Sequence, residues 1–454
     1  MQDTIAAIAT GNCISAIGIV RISGEEAISA AERLFRPYSG KRLSESRDRQ
    51  LVYGRLFTCE GELLDICLCT ISRAPGTYTG ENTAEFQCHG SPVVLHSLLE
   101  ELFKLGVRQA RAGEFTKRAF LNGRMELTSA EAVADLIDSE NLASAINAAG
   151  QLSGAIGTKM DAIYSSLTDI CAHYHAVLDY PDEDIEDFEI KSYLSTLSGA
   201  QTKLQALLKT YERGKSMNSG IPVAITGRPN AGKSSLLNAL LGYNRAIVTN
   251  IPGTTRDTIE ERVTIGRTAF RFIDTAGIRA ADDEVERLGV ERSMAAMKKA
   301  ELNIVLIDGT APLTGEDEQL ILEAAASGGR VIIAVSKSDA PGYSVPNIAG
   351  EYTVVSLSSV EPGGTDALTN AILSLFPEPA VPAGEILTNP RQAQAMQTAL
   401  DYLVQAGKAI EAGLTPDIIL TEIEGAMDAI GELTGKTVRE DVTNRIFQRF
   451  CVGK

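Results

Sequence analysis

The rhythm of hydrophobic positions changes several times along the 454 residues. Apolar runs rich in Ile, Val and Thr and bounded by Gly or charge fall at Ser15–Ile22 and Leu63–Ser72, and they read as strands. Pro92–Leu105 has apolar residues at helical spacing, so the stretch from Thr4 to about Phe120 is expected to be an α+β domain. From Leu127 to about Tyr211 the period is helical. Ile156, Met160, Ile163, Leu167, Ile170, Tyr174 and Val177 alternate steps of four and three, the seam of a helix packed in a bundle. Tyr180–Glu189 interrupts this with a Pro and a dense acidic run, expected to be a solvated loop.

Between Ile221 and about Phe376 strand-like runs (IPVAITG, FRFIDTAG, LNIVLIDG, RVIIAVSKSD, TVVSLSS) alternate with amphipathic segments such as Ser235–Leu241 and Leu288–Lys299. That alternation predicts βαβ units and a mostly parallel sheet. Pro377, Pro379 and Pro382 form a short linker, and Arg391–Phe450 is helical again. Helical stretches on both sides of one α/β unit suggest an α/β domain inserted into a helical one. The expected organisation is multidomain: 1–120 α+β, 121–218 helical, 219–377 a Ras-like α/β G domain, and 378–454 the second helical part.

The net charge is −17, which excludes coating of nucleic acid by bulk charge; such a partner must meet a local basic patch. With 44% hydrophobic and 22% charged residues the chain is globular, and 5% aromatics with no Trp leave the cores to aliphatics. Seven Cys at irregular spacing without C-x-x-C indicate neither a disulfide framework nor a zinc ribbon, and the four His are too scattered for a metal site. No secretory signal and no apolar run near the ~20 residues of a membrane span are visible, so a soluble, reduced, cytoplasmic protein is expected.

Gly227–Ser234 reads GRPNAGKS, the full G-x-x-x-x-G-K-[ST] pattern, between a strand and a helix. Its backbone N–H groups can converge on phosphate oxygens, with Lys233 on the outer phosphates and the Ser234 hydroxyl placed for Mg²⁺. Asn230, Ala231, Gly232, Lys233, Ser234 and Ser235 are therefore candidate nucleotide ligands. Asp274, Thr275, Ala276 and Gly277 form a D-x-x-G at a strand end, and Gly253–Asp257 (GTTRD) offers a Thr for the Mg²⁺ shell. Ser336–Asp339 (SKSD) carries Asp339, able to accept from the two N–H donors of guanine, so GTP is preferred to ATP. Ile278 stands where Ras-like enzymes place a water-orienting Gln, which leaves Glu286 as a replacement, and Asn230 can help bind a monovalent cation.

GRPNAGKSSLLNAL, IPGTTRD, DTAGIR…DEVER, the terminal FCVGK and RAGEFTKRAFLNGRMEL (Arg111–Leu127) together resemble the MnmE (TrmE) family of tRNA modification GTPases over the whole chain. The resemblance implies a homodimer with an N-terminal folate-binding and dimerisation domain. It also implies a heterotetramer with the FAD protein MnmG (GidA), modifying the wobble uridine of certain tRNAs with a tetrahydrofolate carbon. It implies GTP hydrolysis activated by K⁺ and G-domain dimerisation. K⁺ would be held by Asn230, Thr249, Ile251 and Thr254, and Mg²⁺ by Ser234 and Thr255, with Glu286 assisting the attacking water. GTP would also meet Lys337 and Ser358. Folate would meet Arg21, Glu85, Arg124 and Lys454, and Cys451 would serve the modification. The residues alone leave the basic cluster Arg108, Arg111, Lys117, Arg118 and Arg124 open to a polyglutamate tail, tRNA phosphate or water. Two other functions compete: an Era-like regulatory GTPase that binds RNA or ribosome without modifying it, and a folate-dependent transferase. This chain departs from the family at Ser336, where Asn is usual; the shorter Ser is expected to weaken nucleotide binding while Asp339 keeps guanine choice.

Overall fold

The computed structural model describes every residue except 1, 2, 12, 140, 180–189, 244–260, 274–293, 378–381, 438–442, 444, 445, 449 and 454. The chain divides into two compact units. One is Met1–Ala134, Gln151–Gln201 and Ala395–Lys454; the other is Asp135–Gly150 and Thr202–Gln394.

The first unit carries a seven-stranded sheet. In chain order its strands are β1 (Ile5–Ile8), β2 (Ser15–Ser23), β3 (Phe35–Pro37), β4 (Val52–Phe57), β5 (Leu63–Ser72), β6 (Thr83–Gly90) and β7 (Arg108–Gln109). Their order in the sheet is β3-β4-β5-β6-β2-β1-β7. Strict alternation sorts the side chains. Val20, Ile22, Cys69, Ile71, Ala84 and Phe86 face inward and are buried with Leu34, Leu95, Leu98 and Leu102 of helices Ala27–Leu34 and Pro92–Lys104. Each of the Val, Ile, Leu and Phe side chains among them contributes about 1.5–3 kcal/mol. The opposite face is covered at Ile5 and Ala7 by Phe115 and is open at Ile17, Tyr53 and Ile66.

The predicted seam lies on helix Ala155–Asp179, where Ile156, Met160, Ile163, Leu167, Ile170 and Tyr174 are buried and Val177 is only partly so. Helix Pro416–Thr434 packs on it, with Cys171 Sγ 3.4 Å from Met427 Sδ. The acidic run 180–189 lies outside the described residues.

The second unit carries a six-stranded sheet of β8 (Ile221–Thr226), β9 (Glu261–Ile265), β10 (Thr268–Phe272), β11 (Leu302–Asp308), β12 (Arg330–Ser336) and β13 (Thr353–Ser356), ordered β13-β12-β11-β8-β10-β9. All pairs are parallel except β9–β10, a hairpin turning at Gly266; β9 is a strand that the hydrophobic pattern did not single out. The fold is thus the multidomain one expected from the sequence. Among the described residues no helix is long and apolar enough to cross a membrane.

The basic cluster of residues 108–124 is not one surface. The Arg118 side chain is 5% exposed and meets Asp3 at 2.8 Å, Glu81 at 3.0 Å and Glu114 at 3.2 Å; Arg108 also pairs with Asp3 and Glu114. These two cations are spent on joining the chain start, the 77–81 loop and helix Glu114–Leu121. Removing one member of a buried ion network strands the others, at about 3–5 kcal/mol. Arg118→Ala should cost about 3 kcal/mol, the low end because Arg108 still holds Glu114. Urea unfolding of the full chain followed by circular dichroism measures this; a loss under about 1 kcal/mol would place the network among weak solvated pairs.

Candidate functional site

The nucleotide end of the second unit is built at the carboxyl ends of its parallel strands. The chain winds one way from β8 to β10 and the other way to β11, β12 and β13, so a crevice opens beyond the end of β8, where open α/β sheets bind ligands. The GRPNAGKS loop occupies that end and leads into helix Lys233–Tyr243, whose first N–H groups face an anion site. Asn230 adopts a left-handed conformation (φ 62°) in the loop and its amide has no partner among the described residues. Lys233 Nζ donates to the carbonyls of Gly227 (2.7 Å) and Arg228 (2.8 Å), and burial pushes its pKa down. A partly buried ammonium with only neutral acceptors fits an anionic ligand such as a nucleotide phosphate. Arg228 is anchored to buried Asp317 at 2.9 Å; Asp317 also closes the capping box of helix Gly315–Ala326 with Thr314.

Base-side residues follow from β12 and β13. Ser336 is 2% exposed, and its hydroxyl lies 2.7 Å from the Ala231 carbonyl and 3.0 Å from that of Ile307. The tie to the phosphate loop that the usual Asn would make is therefore present here through Ser. Lys337 (φ 61°) donates to Asp308 at 2.6 Å; burial raises the Asp308 pKa, but hydrogen bonds from Lys337 and Thr310 outweigh it and hold it below the usual range. Asp339 is exposed. The Ser358 hydroxyl accepts from Val360 and Glu361 N–H at 3.2 Å, and Ser338 N donates to the Leu357 carbonyl, joining the two base-side loops. Thr249, Ile251, Thr254, Thr255, Asp274, Thr275, Ala276, Gly277 and Glu286 lie outside the described residues.

In the first unit a second constellation forms. Arg21 on β2 stands opposite Glu85 on β6 and donates to it at 2.7 Å. The Arg21 guanidinium lies 5.9 Å from the Tyr78 ring centre and 5.7 Å from that of Phe115. The 77–81 loop is fixed by Ser23, which meets Thr79 at 2.7 Å and donates to Glu81 at 2.8 Å, and by Asn122 donating to Thr79 O. Arg124 is exposed beside Gly80, without a partner among the described residues.

The tail returns to the same domain. Phe447 and Phe450 are buried with Leu127, Ala130 and Val133, Val452 bridges Ala112, and Gly113 N donates to the Cys451 carbonyl at 3.3 Å. At Gly453 (φ 102°) a Cβ would sit 2.3 Å from the Ile8 carbonyl, so only glycine passes there. Ile8 adjoins Ala7, the strand partner of Arg21. Arg21 thus meets Glu85, the tail with its exposed Cys451 docks on Ile8, Ala112 and Gly113, and Lys454 lies outside the described residues. Sequence reasoning missed Tyr78, Thr79 and Phe115, which carry no motif of their own.

Asp65, Cys67 and Cys88 also converge, with donor atoms within 4.8 Å. The Asp65 oxygens already accept from His89 N and Nδ1, and the Cys88 pKa is pushed far up by its hydrogen bond with Cys67 and by burial, so the Cys88 thiol stays protonated.

A family model for the MnmE helical domain matches residues 127–451, and one for the GTP-binding protein TrmE N-terminus matches 4–124. The tRNA modification GTPase MnmE of Alkaliphilus metalliredigens is 40% identical over 461 residues, covering 100% of both chains. The chain belongs to the MnmE family of tRNA modification GTPases. The MnmE of Thermoanaerobacter pseudethanolicus is 39% identical over 459 residues, covering 100% of this chain and 99% of that one. Among solved structures, Aquifex aeolicus Era bound to GDP·AlF4⁻ is 28% identical, covering 40% of this chain and 65% of its own, with a TM-score of 0.26. As a family member the chain is a GTP hydrolase acting in tRNA modification.

In this MnmE-family chain the Ser336 tie is open to test. Ser336→Ala removes the donor to the phosphate loop, and a neutral hydrogen bond is worth about 0.5–1.5 kcal/mol. GTP affinity by calorimetry should fall by about two- to tenfold. Unchanged affinity would show that the loop holds its shape without the hydroxyl.

Proposed function

We propose that this protein couples GTP hydrolysis to modification of the wobble uridine of tRNA, working as a homodimer with the FAD-carrying MnmG protein in a heterotetramer in the cytoplasm. The observation that carries this reading is the docking of the C-terminal tail at Ile8, Ala112 and Gly113, beside the Arg21–Glu85 pair. A regulatory GTPase that only binds RNA has no use for a thiol held at that place.

The roles divide between the two units. Lys233 and the loop N–H groups hold the phosphates of GTP, Ser234 and Thr255 take Mg²⁺, and Asp339 reads guanine, with Lys337 and Ser358 framing the base. Asn230, with Thr249, Ile251 and Thr254, takes K⁺, and Glu286 positions the attacking water. Bound K⁺ would supply beside the phosphates the positive charge that other GTPases take from an arginine. In the N-terminal domain Arg21, Glu85, Arg124 and Lys454 would hold the tetrahydrofolate derivative, whose one-carbon unit would supply the added carbon, and Cys451 on the tail would serve the modification.

Three experiments test the reading. GTP turnover at equal ionic strength should be fast in KCl and nearly absent in NaCl; equal rates would remove the cation role of Asn230. Cys451→Ser should abolish wobble modification, read by nucleoside analysis of tRNA, while GTP turnover stays near the parent rate. This change spares the tail backbone, because only the Cys451 carbonyl contacts Gly113 and its side chain is exposed. Modification that survives the change would overturn the role of the thiol. Tests of strain-derived tRNA lacking this protein address the reading as a whole: a normal wobble uridine there leaves the regulatory alternative.

A further inference from the structure

A chain of net charge −17 repels RNA, so an RNA substrate has to be met where positive charge is local and uncancelled. Two segments are dense in cations. In Lys104–Arg124 the charge is partly cancelled: Lys104 pairs with Glu60 and Glu101, and Arg108 and Arg118 pair with Asp3, Glu81 and Glu114. Arg33–Arg55 differs. It holds seven Lys and Arg against two acids, all seven cations are exposed, and none makes an ion pair among the described residues. One of its two acids, Asp48, is taken by Arg73 from outside the segment. Arg36 and Arg49 donate only to carbonyls, and Arg55 only to the Tyr38 hydroxyl at 3.1 Å, so their charges remain.

Strand register sharpens the point. Arg36 on β3 and Arg55 on β4 are directly opposite, and the other neighbour of Arg55, on β5, is Ile66. Like charges at opposed positions are unfavourable in a sheet, so this pair is held against a local electrostatic cost. Beside it Tyr38 and Tyr53 stack at 4.9 Å and 20°, with Arg55 4.8 Å over the Tyr38 ring. Both rings are about half exposed, at 48% and 56%. A cavity next to this edge is lined by Arg33, Arg36, Phe57 and Thr58. Cations for phosphates and an exposed aromatic face for an unpaired base are the two elements of single-stranded RNA recognition.

We propose that the Arg33–Arg55 edge of the N-terminal sheet is an RNA-docking surface that takes tRNA, with its cations on the backbone and the Tyr38–Tyr53 stack under an unpaired base. The proposal rests on the tRNA reading above and names where on the chain that substrate lands.

The test is binding of a fluorescent tRNA transcript to the full chain across a salt series. The triple change Arg33→Ser, Arg42→Ser and Arg47→Ser should weaken binding about tenfold or more at 0.1 M salt. It should also lower the slope of log Kd against log salt by about 2, since each lost phosphate contact on a single strand removes about 0.7. Tyr53→Ala should weaken it about tenfold with the slope kept, the signature of lost stacking. As controls, GTP turnover and melting temperature should match the parent, and Lys203→Ser, Lys298→Ser and Lys299→Ser together should leave tRNA affinity within about twofold. Equal effects of the two triple variants, or a change in oligomeric state without a change in RNA affinity, would overturn the surface. A parent that fails to bind tRNA even at low salt would instead strike the tRNA reading itself; a parent that binds while the variants bind equally strikes only this surface.

Discussion

A phosphate loop works only if a run of N–H donors and one ammonium are kept pointing at an empty place, and in this protein the hydroxyl of Ser336 is central to that. Buried between the ends of β11 and β12, it reaches the Ala231 carbonyl at 2.7 Å and so links the base-side loop to the loop that holds phosphate. A hydroxyl has one proton to give, and spending it on the loop leaves Ser336 with nothing to donate to a base. The usual Asn has two donors and an acceptor for the same position. The tie between the two loops is thus made by Ser336. The expectation of a looser nucleotide site therefore narrows to its base side, where Asp339 stands exposed. Arg228 clamped to Asp317 adds a second anchor from helix Gly315–Ala326.

The N-terminal domain depends on a comparable constraint of opposite sign. There the buried group is a cation, Arg118, and the carboxylates of Asp3, Glu81 and Glu114 close around it. That network fixes the chain start, the 77–81 loop and helix Glu114–Leu121 together. The same loop and helix present Tyr78 and Phe115 to Arg21. The helix starts at Gly113, where the tail also docks. A tail docked through Gly453 and Val452 brings Cys451 back to Gly113, at the start of that helix, without adding a helix or strand.

Much of this was legible in the sequence, and the legible parts share one property. The GRPNAGKS loop, the SKSD turn, strand β5 and the seam of helix Ala155–Asp179 are contiguous, so local spacing and period suffice to read them. Parallel strands buried on both faces are continuous apolar runs, which is why β8, β11 and β12 stood out. The short β9 did not, because ERVTI is half polar and its place is set only by pairing with β10.

Tertiary structure decided what depends on residues far apart in the chain. Composition and spacing grouped Arg108, Arg118 and Arg124 as one basic cluster, yet burial turned Arg118 inward to three acids and left Arg124 exposed. No local pattern distinguishes those fates, because a charge is cancelled or not by carboxylates tens of residues away. For the same reason the convergence of Arg21, Glu85, Tyr78 and Phe115 needed the fold, since no spacing connects positions 21, 78, 85 and 115. The surplus of positive charge in Arg33–Arg55 was present in the sequence, but that it stays uncancelled, opposed across two strands and set beside stacked tyrosines, follows only from the register of β3 on β4. Sequence fixes which charges exist; the free energy of each is set by the groups that folding brings within a few ångströms of it.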